Sequence, residues 1–285
     1  MIGGTTRVCA VIGDPIKHSL SPPMHNAAFR SLGMDLVYVA FRVRKDELRA
    51  AIEGIRSLGI LGVNVTMPHK TRVLRFLDKV DVTAREIGAV NTIVRSDSEL
   101  HGYNTDGQAA LASLASLGCS LSGSAGVILG AGGAARSIAY HLCRVVESLT
   151  ILNRTRSKAS SIAGKARMWS GARCRSHRLD RTSLRQELSE ASLLINTLPV
   201  HVFPRIGKTL IEQRLVRPGM LVLDINYQSK NDFLAEAKLA GAKVSDGLDM
   251  LVRQAALSFR IWTGRDAPIE IMREAAIKAR RTCPK

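Results

Sequence analysis

The residues able to do chemistry in this 285-residue chain fall into a few short segments. The first is Gly62-Val63-Asn64-Val65-Thr66-Met67-Pro68-His69-Lys70. Apolar alternation up to Thr66 reads as a strand, Pro68 suits the first position of a helix, and Val73, Leu74 and Leu77 follow at helical spacing. Lys70 is therefore expected in the first turn of a helix. There the positive end of the dipole opposes a cation, at a cost of a few tenths to about 1 kcal/mol. A proton-transfer role would explain that cost, and an exposed lysine that tolerates it is the plain alternative. In Gly13-Asp14-Pro15-Ile16-Lys17-His18-Ser19-Leu20-Ser21-Pro22, two hydroxyls stand beside a helix start, suited to holding a carboxylate. Ser21 before Pro22 also reads as an N-cap, a reading Ser19 lacks. His101-Gly102-Tyr103-Asn104-Thr105-Asp106-Gly107-Gln108 leads another helix. Thr105 with Gln108 fits a capping box, so Asp106 is either first-turn charge complementing the dipole or a functional carboxylate.

A second kind of chemistry is written in Gly130-Ala131-Gly132-Gly133-Ala134-Ala135, which follows a strand and opens a helix. In that context the first glycine permits a tight turn, the second lets the backbone approach a pyrophosphate, and small Ala135 allows close helix-strand packing. The helix amino end then faces the phosphates. No Gly-Lys-Ser/Thr follows, so this is not a Walker loop; a structural turn is the alternative. The next strand closes on Leu152-Asn153-Arg154-Thr155-Arg156 without a carboxylate to take ribose hydroxyls. Arg154 offers a planar fork for a 2′-phosphate, and Arg156 and Lys158 add positive field, which favours NADP over NAD.

The elements that must position these groups alternate. Strand-like Val8 to Ile12, Leu36 to Arg42 and Leu61 to Thr66 are separated by helices over Pro22 to Leu32 and Lys45 to Leu58, the order of a mostly parallel sheet. After Gly102 a helix from Gly107 to Leu117 leads to strands at 125–129, 149–152, 193–196 and 221–225, a second doubly wound unit. Helical periodicity returns from Met250 to Trp262, and 269–279 forms a last helix. Asn and Thr close apolar runs at Asn64/Thr66, Asn91-Thr92, Asn104-Thr105 and Asn196-Thr197, placing small hydrogen-bonding groups at strand ends, where open α/β sheets bind ligands.

Length allows two domains, and a 46% hydrophobic composition fits a globular chain. No apolar run approaches the roughly 20 residues of a membrane span, and Arg7 to Gly13 is too short for a signal-peptide core, so a cytoplasmic location without membrane association is expected. Cys9, Cys119, Cys143, Cys174 and Cys283 are widely spaced, and reduced thiols are expected. The net charge of +17 invites a nucleic-acid reading, but the basic residues are scattered and aromatics are only 4%, so a solvated basic surface is expected and no nucleic-acid partner. No metal is expected either: His18, His25 and His69 form no ligand spacing, and His69 reads as a helix-start residue.

Assembled, these segments resemble the shikimate dehydrogenase family over nearly the whole chain. The matching stretches are Gly13 to Asn26, Gly62 to Lys70, Gly88-Ala89-Val90-Asn91-Thr92, Asn104 to Gly107, the cluster from Gly130, Asn153-Arg154-Thr155, and Gly247 to Gly264 with Met250-Leu251 and Gln254. The resemblance implies an α/β fold of two domains. A substrate domain over 1–103 plus 248–285, its mostly parallel sheet completed by C-terminal helices, would hold a Rossmann-type NADP domain over 104–247, with the active site in the intervening cleft. It implies reversible hydride transfer reducing 3-dehydroshikimate to shikimate, in a monomer or homodimer. By position, Ser19 and Ser21 would bind the substrate carboxylate, Thr66, Asn91 and Gln254 its ring hydroxyls with Tyr227 assisting, and Lys70 and Asp106 would form the catalytic pair. Gly130, Ala131, Gly132, Gly133, Ala134, Asn153, Arg154, Thr155 and Gly247 would bind the cofactor.

Two segments depart from the family pattern. Asn196-Thr197-Leu198-Pro199-Val200-His201-Val202 lacks the usual Gly-Met, and Asp224-Ile225-Asn226-Tyr227 is followed by Ser229 and Asp232 in place of proline and threonine. Both border the nicotinamide in the family. The nearest rival reading is a related polyol-acid dehydrogenase acting on quinate, or one using NAD. A metabolite sensor that kept the fold without turnover is a further alternative, against which intact Lys70 and Asp106 stand.

Overall fold

Apolar runs with β-branched residues become the central strands of a computed structural model that describes residues 2–227 and 231–282. The chain divides into two compact units, residues 1–105 with 252–285, and residues 106–251. Ser229 and Cys283 lie outside the described residues.

The first unit runs β1 (Arg7–Gly13), α1 (Ser21–Ser31), β2 (Leu36–Arg42), α2 (Leu48–Ser57), β3 (Gly62–Val65), β4 (Lys79–Val80), α3 (Val82–Ile87), β5 (Thr92–Ser96) and β6 (Glu99–Tyr103). Its six-stranded sheet has the order β2-β1-β3-β5-β6-β4. β1 pairs parallel with β2 and β3, and β4 with β6, whereas β5 runs antiparallel to β3 and β6. The carboxyl ends of β1, β3 and β6 and the amino end of β5 therefore share one edge. α2 covers one face because Leu48, Ile52 and Ile55 recur at helical spacing and are buried. Among the cysteines, Cys9 is buried in β1 and, with Cys119, Cys143 and Cys174, is free of disulfides.

The second unit contains α4 (Asp106–Ala115), β7 (Ala125–Leu129), α5 (Gly133–Leu142), β8 (Ser148–Asn153), α6 (Arg156–Trp169), β9 (Arg173–Arg178), α7 (Arg181–Leu188), β10 (Leu193–Asn196), α8 (Phe203–Glu212), β11 (Leu221–Asp224), α9 (Asp232–Leu239) and β12 (Lys243–Asp246). All its strand pairs are parallel, in the order β12-β11-β10-β7-β8-β9. This is the 3-2-1-4-5-6 order of doubly wound nucleotide-binding sheets, with the reversal between β7 and β10. β10 and β11 are buried along their whole length, as strands covered on both faces must be. α4, α5 and α6 residues fill one face and α7, α8 and α9 residues the other.

α10 (Gly247–Thr263) and α11 (Ile269–Thr282) close the chain. From Val252 onward α10 belongs to the first unit, where Val252, Ala255, Phe259 and Trp262 bury one stripe and Trp262 Nε1 donates to the Ile93 carbonyl at 2.8 Å. No helix among the described residues is long and apolar enough to cross a membrane.

Candidate active site

The shared sheet edge of the first unit carries a buried polar network. Asn91 is 2% exposed; its Oδ1 accepts from the Thr105 backbone N–H at 2.9 Å and its Nδ2 donates to the Thr105 hydroxyl at 2.9 Å and towards Gln254 Oε1 at 3.5 Å. The Thr105 hydroxyl also donates to the Gln254 carbonyl at 3.2 Å. Behind this layer, Asn64 Nδ2 donates to Ser258 Oγ at 2.9 Å and to the Asn91 carbonyl at 3.2 Å, while Tyr38 Oη donates to Asn64 Oδ1 at 2.7 Å. Thr92 Oγ1 donates to Asn91 Oδ1 at 2.9 Å. Satisfied polar groups in a low-dielectric interior hold one another rigidly. Tyr38 and Ser258 escaped the sequence reading. Their only signals are a lone phenol in an apolar strand and a hydroxyl four residues after Gln254 on the same helix face.

Lys70 sits elsewhere in local structure than expected. The segment after Thr66 is a turn with a cis Met67–Pro68 bond, followed by a short 3₁₀ helix over Val73–Phe76, not an α-helix. Two long-range bonds explain this. The His69 ring is fully buried with Nε2 2.7 Å from the Val43 carbonyl, and the Lys70 carbonyl accepts from Val90 N–H at 2.8 Å, so it does not serve a residue one helical turn on. Lys70 thus precedes the 3₁₀ helix, and the buried His69, whose carbonyl accepts the N–H groups of Arg72 at 2.9 Å and Val73 at 3.0 Å, both anchors the core and opens the turn that leads into it. What remains is better for function: the half-buried Lys70 is tied by its backbone to the residue before Asn91. Thr66 lies against the end of β1: its N–H donates to the Ile12 carbonyl at 3.0 Å, and a Cβ on Gly13 would stand 2.3 Å from Thr66 Cγ2.

Ser21 is not the cap of α1. Leu20 holds that position without a side-chain bond, and Ser21 is the first helical residue, 6% exposed. Ser19 takes the local role instead, its Oγ accepting from Ser21 N–H at 3.3 Å. Ser21 also hydrogen-bonds the Tyr38 phenol, whose pKa is raised by burial. The Thr105 capping box does not form either, because its hydroxyl is engaged with Asn91 and Gln254.

In the second unit, Gly130 has φ +110°, and a Cβ there would stand 2.4 Å from Thr197 Oγ1, so both conformation and space demand glycine. Gly132 is the N-cap of α5 and faces open space, with Ala131, Gly133 and Ala134 beside it; no side chain caps the helix. A dinucleotide phosphate fits this uncapped amino end. Thr155 likewise begins α6 without a side-chain cap and without an acidic residue in the first turn. Arg154, Arg156 and Lys158 are exposed there, and Asn153 Nδ2 donates to the Thr155 carbonyl at 3.0 Å. Asp106, 3% exposed, opens α4, and the next residue docks that helix on α5 through Gly107 N–H to Ser137 Oγ at 2.7 Å. It thus lies about one helical turn along α5 from the glycine turn. Tyr227 is half-buried after β11, and Gly247 starts α10 against the Asn226 carbonyl at 3.2 Å. The site residues therefore form two groups: Ser19, Ser21, Thr66, Lys70, Asn91 and Gln254 in the first unit, and Asp106, Tyr227 and the cofactor set in the second. Among the described residues no group of three or more His, Cys, Asp or Glu is arranged for a metal ion.

Family models match three consecutive parts of the chain. They describe the shikimate dehydrogenase substrate binding domain over residues 11–93, shikimate/quinate 5-dehydrogenase over 112–227, and the shikimate 5′-dehydrogenase C-terminal domain over 247–277. The shikimate dehydrogenase (NADP+) of Moorella thermoacetica is 44% identical over 276 residues, covering 95% of this chain and 92% of that protein. The chain belongs to the shikimate dehydrogenase family. Solved structures agree. One shikimate dehydrogenase in complex with NADP+ superposes with a TM-score of 0.87 at 38% identity, covering 98% of this chain and 97% of that one. Shikimate 5-dehydrogenase from Listeria monocytogenes, in complex with shikimate and NAD, gives 0.86 at 35% identity over 96% and 97% of the two chains. The two-domain α/β architecture expected from the family resemblance is thus the architecture of the chain.

Proposed function

We propose that this protein is an NADP-dependent shikimate dehydrogenase, interconverting 3-dehydroshikimate and shikimate by reversible hydride transfer. One observation carries the reading: the Asn91 network gathers Lys70, Thr105 and Gln254, from three distant segments, at one edge of one sheet, and Asp106 follows Thr105 by a peptide bond. In the first unit the Ser19 and Ser21 hydroxyls hold the substrate carboxylate. Ser19 uses an acceptor lone pair on Ser21 N–H, which leaves its own O–H available as a donor. Thr66, Asn91 and Gln254 bind ring hydroxyls, with Tyr227 assisting. The dinucleotide, when bound, supplies or accepts the hydride.

Lys70 then works at the substrate oxygen. As that oxygen gathers charge, the ammonium stabilises it and hands over a proton, and in the reverse direction the amine takes the proton back. Asp106 orients the ammonium and offsets its desolvation. Gly130 to Ala134 would hold the pyrophosphate, Asn153, Arg154 and Thr155 the 2′-phosphate, and Gly247 the remaining half of the cofactor. The same reading makes the protein a cytoplasmic monomer or homodimer that acts on small molecules, which fractionation and light scattering check. The deciding assay measures reduction of NADP+ and of NAD+ with shikimate and with quinate side by side. Turnover with shikimate and NADP+ is expected to exceed the other three combinations. Faster turnover with quinate or NAD+ would replace the proposal with the polyol-acid reading, and no turnover with any pair would overturn it.

A further inference from the structure

Four N–H groups converge on one buried carboxylate at the carboxyl end of β11. Asp224 is 1% exposed; its Oδ1 accepts from Asn196 Nδ2 at 2.8 Å, from Asn226 N–H at 3.0 Å and from Asn226 Nδ2 at 2.7 Å, and its Oδ2 accepts from Asn231 Nδ2 at 2.9 Å. Among the described residues every partner is neutral. The donors come from the last residue of β10, the second residue after β11 and the N-cap of α9, where Asn231 Oδ1 accepts from Leu234 N–H at 3.1 Å. Further bonds stitch the same segments together. Asn226 Nδ2 also donates to the Leu198 carbonyl at 3.1 Å, Asn196 Oδ1 accepts from Leu198 N–H at 3.0 Å, and Gly247 N–H donates to the Asn226 carbonyl at 3.2 Å. A Cβ on Gly247 would stand 2.1 Å from the Ile225 carbonyl oxygen, so the chains there meet at backbone distance.

A buried carboxylate with no cationic partner among the described residues is an expensive way to finish a strand, and an apolar residue of similar volume often stabilises as well or better. Its place in the sheet supplies a reason to keep it. The strand order reverses between β7 and β10, and ligands of such sheets lie across the carboxyl ends at that reversal. The glycine turn after β7 and the cations after β8 take one half of a dinucleotide. The ends of β10, β11 and β12 are the floor for the other half, which carries the reacting ring.

We propose that Asp224 is a positioning residue for that half of the cofactor, locking the backbone after β10, after β11 and at the start of α10 into one surface. It acts through Leu198, Asn226 and Gly247 and touches no reacting atom. The inference rests on the dinucleotide reading of the preceding section.

The test uses the full-length protein with Asp224→Asn, which keeps the size but turns one acceptor oxygen into a donor, and Asn226→Ala, which cuts the same clamp from the other side. Calorimetric titration with NADP+ and with shikimate is run on each folded variant, beside steady-state kinetics and thermal melts. NADP+ affinity is expected to fall about 10-fold or more in both variants, with shikimate affinity within about twofold of the parent, since small displacements of a positioning surface act strongly on what it positions. The double variant should be no worse than Asp224→Asn alone, because both break one network. A lowered melting temperature with unchanged NADP+ affinity would assign Asp224 a merely structural role and overturn the inference. If Asp224→Asn does not fold, Asn226→Ala decides by the same criterion. Loss of the shikimate dehydrogenase reading shows separately, as a parent protein that binds NADP+ but does not oxidise shikimate, and the NADP+ titration still judges the clamp.

Discussion

Asn91 and Thr105 hold each other reciprocally, the Thr105 N–H on Asn91 Oδ1 and the Asn91 Nδ2 on the Thr105 hydroxyl, each at 2.9 Å. This pair fixes the residue before Asp106 to the residue after Val90, whose N–H holds the Lys70 carbonyl at 2.8 Å. Asn91→Ala removes the junction and leaves buried donors unmet. The expected cost is about 2–4 kcal/mol of stability. The expected kinetic effect is a loss of kcat/KM for shikimate of about 10-fold or more. Thermal melts and steady-state rates on the folded protein check both; a variant unchanged in rate would remove Asn91 from the centre of the site.

His25 is fully buried against Tyr38, with ring centroids 4.4 Å apart and planes 11° from parallel, and among Phe29, Phe259 and Trp262. Neither ring nitrogen has a hydrogen-bond partner among the described residues, and burial lowers its pKa from 6.5 to about 3. The unfolded chain then takes up a proton below pH 6.5 that the folded chain refuses, so this contribution to stability is complete above pH 6.5 and is lost as pH falls towards 3. The loss amounts to about 2–3 kcal/mol between roughly pH 6.5 and 4.5. His25→Phe, which fits the aromatic stack, should flatten the denaturation free energy over that range by this amount. Equal slopes in the two proteins would show that His25 is not held neutral.

The glycine turn and the parallel core strands were legible because each depends on neighbours in sequence: glycines between strand and helix, apolar runs buried on both faces. β9 was not legible. Arg173, Arg175, His177 and Arg178 disguise it, and charge on a strand at the end of the sheet order is how an edge is kept from pairing further. The β5–β6 hairpin, half-exposed with Arg95 and His101 in it, escaped for a similar reason. The Lys70 turn misled for the opposite one. Val73, Leu74 and Leu77 carry helical spacing, but the bonds from Val90 and to Val43 that decide the backbone come from far along the chain. Tyr38 and Ser258 became visible only when β2 and α10 brought them to Asn64.

In the proposed reading, cofactor choice rests on the cations at the start of α6. A charge-assisted hydrogen bond to phosphate is worth about 1.5–3 kcal/mol, so Arg154→Gln should raise KM for NADP+ by roughly 10- to 100-fold. KM for NAD+, which has no 2′-phosphate, should stay within about twofold. The parent's preference should also shrink with added salt, because these side chains are exposed. A variant that loses both cofactors equally would show that Arg154 supports the turn and does not read the phosphate.

Lys70 offers the sharpest test of the chemistry, because its backbone and side chain have separable tasks. The turn is held by the Lys70 carbonyl on Val90 N–H, by His69 N–H on the Thr66 carbonyl at 2.9 Å and by the buried His69 ring. None of these needs the ammonium. Lys70→Ala should therefore fold with a melting temperature within a few degrees of the parent, and shikimate should still bind through the serines, Asn91 and Gln254. Removal of a group that transfers a proton at the reacting oxygen is expected to lower kcat by about 10²- to 10⁴-fold. Lys70→Met, which keeps the stem without the charge, should behave like alanine. If either variant instead retained kcat and lost only affinity for shikimate, Lys70 would be a binding residue, and the proton would have to move through another group.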